Sequence, residues 1–285
     1  MKTGLGSQAY TIIEVMIVLA VSVVLLASAL SVVGSQSQRT QFTQGINDIR
    51  TQINDIINNV STGYYSNSNN FTCSGTPTGP NIINGVNNQG TNGGCTFIGR
   101  AVQFKVNGDN RQFDIYNLVG LQFAGGGPSG SAPASLAEAM PVAIAPSANA
   151  VHSLVPIGQV LQQLSYGLQV VSMHYVDGLG PHTTAAVAFI SSFNQSDSSG
   201  NLISGSKVAS LWAIQPTDIP TGANSPTLVN FLDNSGNYAS ANSVTVCFSG
   251  PTNQYGLLTI GSNGRQLTTK LDVYGTLSQA NGQCS

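Results

Sequence analysis

From Val15 to Val33 the chain carries no charged residue, and only Ser22, Ser28 and Ser31 interrupt its apolar side chains. At about 1.5 Å per residue this stretch makes roughly 28 Å of helix, close to the ~30 Å hydrocarbon core of a bilayer. Behind Gly34 and the polar Ser35–Arg39 the pattern changes. Phe42, Ile46, Ile49, Ile53, Ile56 and Val60 recur at alternating spacings of four and three, with Asn47, Asp48, Arg50, Gln52 and Asn54 on the other faces. That is a one-sided helical stripe. Together the two patterns predict one helix from about Tyr10 to about Val60, apolar in its first half and amphipathic in its second.

Beyond that helix the period falls to two. Thr96–Val106 and Arg111–Val119 alternate apolar and polar around Asn107-Gly108-Asp109-Asn110, a β-hairpin with an Asn-Gly turn. Further strands are expected at Leu168–Tyr175, Thr183–Phe193 and Lys207–Ile214, the last with the single tryptophan, Trp212. Ser243–Phe248, Tyr255–Ile260 and Gln266–Tyr274 read as an antiparallel meander whose second turn is Ser262-Asn263-Gly264-Arg265. Between these lie stretches without periodicity. Ser61–Gly99 is rich in Asn, Gly, Ser and Thr and reads as loop, and Gly120–Ala150 is a low-complexity Gly/Ala/Pro/Ser stretch expected to be a surface insertion.

One residue sits badly with a plain membrane segment. Glu14 stands at the head of the apolar run, and a carboxylate carried deep into lipid costs on the order of 2–3 kcal/mol unless it has a partner. Its surroundings, Ala9-Tyr10-Thr11-Ile12-Ile13-Glu14-Val15, resemble position by position the class III signal of type IV pilins and type II secretion pseudopilins. That signal has a short basic leader, a small residue before the cut, an aromatic at the new N-terminus, then Thr, two aliphatics and Glu.

The resemblance implies a leader Met1–Ala9 with Lys2 as its only charge, and cleavage between Ala9 and Tyr10 by a prepilin peptidase. It further implies N-methylation of Tyr10, and a role for Glu14 in assembly through pairing with the freed amine. The long N-terminal helix is likewise that of the pilin fold. Ala9 stands where the family nearly always has Gly, and Val23 and Ser31 stand where many pilins have Gly and Pro. The end of the chain, a strand, a Gly264-Arg265 turn and another strand, is similar to GspH/FimT-type minor pseudopilins.

Two simpler readings use the same residues. In one the run is a signal anchor with Glu14 at the headgroups. In the other it is a cleaved secretory signal, with Lys2 as n-region, Val15–Leu26 as h-region and Ala27-Ser28-Ala29 as cleavage site, which releases a secreted binding module or hydrolase.

Composition narrows the function classes. Charged residues make up 7% of the 285 residues and the net charge is −2, so no electrostatic footprint for nucleic acid exists. The four cysteines, Cys73, Cys95, Cys247 and Cys284, include no C-x-x-C pair, which argues against a zinc knuckle or a thioredoxin-like motif. An even count behind an export signal favours two disulfides. Of three connectivities, Cys73–Cys95 and Cys247–Cys284 each close a loop within one region, worth about 3–4 kcal/mol apiece in the chain-entropy picture.

Catalytic signatures are missing. His152, His174 and His182 form no H-x-x-x-H or H-E-x-x-H spacing, although His174, Asp177 and His182 allow a metal site to be drawn. Gly125-x-Gly127-x-x-Gly130 matches a dinucleotide fingerprint, but Pro128 and Pro133 spoil the helix that should follow. No G-x-S-x-G elbow occurs and no carboxylate pair suggests itself. The sequons at Asn59, Asn70 and Asn194 fit chance in so Asn/Ser/Thr-rich a chain.

The expected fold is therefore α+β, a long helix packed against one antiparallel sheet: a leader (1–9), an assembly half of the helix (10–33), an amphipathic half (34–61), and a β-domain (62–285) with an insertion near 120–150. The resemblance implies a structural filament subunit without cofactor or enzymatic activity. Its partners would be other pilin subunits, a prepilin peptidase, an inner-membrane assembly platform and, before assembly, the bilayer. It would sit as a single-pass inner-membrane protein and then in an extracellular or periplasmic filament.

Overall fold

A computed structural model describes residues 11–63, 71–84, 94–105, 108–126, 130–144, 162–176, 178, 180–191, 209–214, 241–251, 253–263, 266–280 and 284. Helix α1 runs unbroken over Ile12–Thr62. It starts where Thr11, in extended conformation, accepts the Glu14 amide on its side chain at 3.3 Å. Thr11-Ile12-Ile13-Glu14 thus has capping-box spacing. The helix stops at Gly63, whose φ of 67° is the left-handed turn that only glycine adopts freely. Its amide closes on the carbonyls of Asn59 and Val60.

The β-domain holds two antiparallel sheets and a separate hairpin, where one sheet was expected. The hairpin pairs β1 (Phe71–Thr76) with β2 (Gly79–Asn84). The first sheet contains β3 (Cys95–Phe104), β4 (Gln112–Leu121), β5 (Val142–Ile144), β6 (Gln162–Gln163), β9 (Ala186–Ser191) and β10 (Ala209–Ile214). Its order is β10-β9-β3-β4-β5, with β6 also on β4. The second contains β7 (Gln169–Val176), β8 (Pro181–Thr183), β11 (Ser243–Ser249), β12 (Tyr255–Asn263) and β13 (Gln266–Tyr274), ordered β13-β12-β11-β7-β8. The expected hairpin is β3–β4 and the expected meander is β11–β12–β13.

The stripe on α1 docks between the inner faces of both sheets. Phe42, Ile46, Ile49, Ile53, Ile56, Ile57 and Val60 are buried with Val102, Phe104 and Phe113 of one sheet and Val170, Val246 and Phe248 of the other. The contact is close enough to demand glycine. A Cβ on Gly250 would overlap the Phe42 ring, and one on Gly256 would overlap the end of Ile46. Arg50 fixes the polar edge of the docked half, donating from Nε to Thr269 Oγ1 at 3.2 Å, and Thr269 in turn donates to Asn54 Oδ1 at 2.9 Å.

The described parts of two stretches expected to be loop or insertion are built into the fold. Within Ser61–Gly99 the hairpin β1–β2 forms, and its glycines serve close backbone approach. A Cβ on Gly94 would meet the Gly75 backbone, and one on Gly126 the Thr76 carbonyl. Within 120–150 the short helix α2 (Leu136–Ala139) buries Leu136 and Ala139 against the outer face of the first sheet, and β5 extends that sheet along β4. Small residues fit there because Gly120 lets the Ala139 carbonyl come close, 2.8 Å from where a Cβ would stand.

Candidate functional site in the projecting helix

No described residue covers the first half of α1. Ile12–Leu30 has mean hydropathy 2.7 and none of it is buried, with Leu25 at 63% exposure and Ile12 at 83%. It is the one described helix long and apolar enough to cross a membrane. Its polar groups are largely satisfied internally: Ser22 Oγ donates to the Val18 carbonyl at 2.7 Å and Ser28 Oγ to the Leu25 carbonyl at 2.8 Å. Backbone bonds are likewise made within the helix, as a hydrocarbon environment requires. The segment therefore presents an apolar cylinder with one charged side chain, Glu14, at its start.

Glu14 lies in the first turn of α1, exposed, and no described residue forms an ion pair with it. Position alone favours it there, since the positive end of the helix dipole attracts a carboxylate. The two processing residues expected beside it, Ala9 and Tyr10, lie outside the described residues.

On the domain itself, Cys247 and Cys284 are bonded, with Cα atoms 5.4 Å apart. Both are buried with Leu257 and Ala280, and Val171, Tyr255 and Tyr274 pack around them, so the chain's end covers part of the second sheet's outer face. Cys95 is also disulfide-bonded and buried, while the side chain of Cys73 lies outside the described residues.

The drawn metal site does not assemble. His174 pairs across the ladder with Thr183, and His182 with Tyr175, so the two imidazoles leave opposite faces of the β7–β8 pair. His182 stacks on Tyr175 with ring centroids 5.1 Å apart. His152 and Asp177 lie outside the described residues, and among those described no three metal-binding side chains cluster. The glycine fingerprint opens no helix at Gly130: α2 begins six residues later and spans four residues. Gly127 lies outside the described residues.

Sequence reasoning missed one buried charged group and one half-buried one. Asp114, in β4, is 4% exposed on the outer face of the first sheet, and burial raises its carboxyl pKa above the usual range. The Ile115 amide, donating at 2.8 Å, offsets only part of that. Lys105 closes the β3–β4 hairpin at a φ of 58° and donates from Nζ to the Val171 carbonyl at 2.6 Å, which ties the two sheets together. Burial lowers its pKa. Val171 is the extra residue of a β-bulge opposite Cys247 and Phe248, so its carbonyl is left for the lysine. Alternation gave no hint, because polar residues on a strand read first as solvent-facing.

No family model, curated protein or solved structure matches this chain.

Proposed function

We propose that this chain is a structural subunit of a filament of the type IV pilin or pseudopilin kind. It waits in a membrane on the first half of α1, is cut after Ala9 and methylated at Tyr10, and joins a filament whose core is a bundle of these helices. The observation that carries the reading is the contrast within α1. One continuous helix docks its second half into a domain core and leaves the whole of Ile12–Leu30 uncovered. A cleaved secretory signal gives no reason for the apolar run and the docked stripe to share one helix. Apolar burial drives the bundle, and Glu14 sets register by pairing with a neighbour's N-terminal amine, since an unpaired carboxylate among helices is costly. Catalysis plays no part; the chain's one reaction is as substrate of its peptidase.

The test is Glu14→Val. The variant inserts in membranes at parental levels, because removing a charge eases insertion, and it fails to enter filaments in sheared or secreted fractions. Normal filaments from Glu14→Val would refute the pairing.

A further inference from the structure

Exposed apolar side chains on the domain are not scattered. Apart from α1, four large ones are strongly exposed among the described residues: Tyr166 (41%), Val176 (40%), Val273 (46%) and Leu277 (46%). Three of them gather where α1 leaves the domain. Tyr166 sits in the 3-10 turn Ser165–Gly167, which abuts Gly45: the Ser165 carbonyl is 3.3 Å from where a Gly45 Cβ would stand. A Cβ on Gly167 of the same turn would stand 3.2 Å from Pro251 Cγ, and Gly250 lies on Phe42, the first docked residue of the helix. Val273 pairs with Gly256, which lies on Ile46, and Leu277 follows β13 directly. Val176 is at the far end of β7, about 23 Å away at 3.3 Å per residue.

The segments that carry these side chains hold no charge of their own. Residues 164–169, 249–255 and 273–280 contain no Asp, Glu, Lys or Arg, and helix residues 34–44 contain only Arg39. The rim thus has an aromatic and two aliphatics on uncharged segments, with Arg39 just below, the exposed Asp109 and Arg111 of the β3–β4 turn beside the Tyr166 turn, and Asp272, paired with Lys270, next to Val273. Phe42 lies nine positions beyond Val33, about 14 Å of helix, of which a headgroup layer takes about 5–8 Å. The usual ~20° tilt of a spanning helix lowers one side of the rim onto that layer.

We propose that this end of the domain is a membrane-contact surface: Tyr166, Val273 and Leu277 rest on lipid headgroups, and Arg39 meets anionic ones, while α1 spans the bilayer. The proposal rests on reading Ile12–Leu30 as a membrane span. Tyrosine suits such a place because its ring is apolar and its hydroxyl wet. The domain is then held upright at the surface before assembly, and moving a subunit into a filament must break this contact.

Full-length protein in phosphatidylcholine–phosphatidylglycerol vesicles tests it through three single substitutions, Tyr166→Trp, Val176→Trp and Leu25→Trp, with Trp212 left in place as common background. Headgroup-nitroxide lipid should quench the added fluorescence of Tyr166→Trp several-fold more than that of Val176→Trp. Acyl-chain bromolipid should quench Leu25→Trp. Quenching of Leu25→Trp with equal, weak quenching at 166 and 176 overturns the rim and leaves the membrane span standing. No quenching of Leu25→Trp overturns the span and the rim together. Protection of Tyr166→Trp only in assembled filaments assigns the rim to a neighbouring copy and also overturns the proposal.

Discussion

Residues Ile12–Leu30 and Phe42–Val60 lie on the same helix, with the same backbone bonding, and their surfaces obey opposite rules. The second segment spaces its large apolar residues by three and four and surrenders all of them to one core. The first is apolar all round and surrenders none. Burying seven large side chains contributes about 10–20 kcal/mol gross to docking the second half. The fourteen large apolar residues left exposed between Ile12 and Val33 hold about 20–40 kcal/mol by the same measure. A soluble monomer leaves that term unclaimed. The contrast teaches that the fold is complete without the first half, and that the first half is complete only in contact with something else.

The comparison breaks most sharply if a truncation in each half is measured in the same micelles. Phe42→Ala, which empties a fully buried site beside Gly250, should cost about 3–5 kcal/mol in denaturant unfolding of the domain. Leu25→Ala should stay within about 0.5 kcal/mol. Equal losses would mean that the first half belongs to the domain after all. Next in size is Cys284→Ser, expected to cost about 2–5 kcal/mol and to make the tail protease-sensitive, while membrane insertion stays at the parental level. A parental melting temperature would show that the cover over Leu257 holds without its disulfide.

The smallest effect concerns Asp114. Burial raises its folded pKa, so its share of stability is full below the unfolded pKa and is lost as pH rises through the folded one. Asp114→Asn keeps the shape and cannot ionise. The variant should therefore gain in melting temperature relative to the parent as pH rises above the ordinary carboxylate range of about 4. A constant difference across that rise would deny the carboxyl any such cost.

Much of this architecture is legible in the chain. The stripe at 42–60 places the docked half, and the alternation around Asn107–Asn110 places the β3–β4 hairpin. Each is a local period acting on one buried face. What alternation cannot show is which strands share a sheet. The division into two sheets depends on β7 joining β11, a pairing across some seventy residues set by the common core on α1. Composition misled over 71–84 and 130–144, where strands and a short helix form, and Gly94 and Ala139 serve close approach. Asp114 and Lys105 were illegible because burial of a charge depends on what the far chain lays over it.

The account's central claim is that Ile12–Leu30 stays attached to the domain in the mature protein and ends in a free, modified Tyr10. The direct measurement is the N-terminal sequence and intact mass of protein recovered from the membrane and from the cell exterior. The account predicts a chain that begins at methylated Tyr10, lacks Met1–Ala9, and retains both halves of α1. A mature chain that begins at Leu30, released without the apolar half, would contradict it.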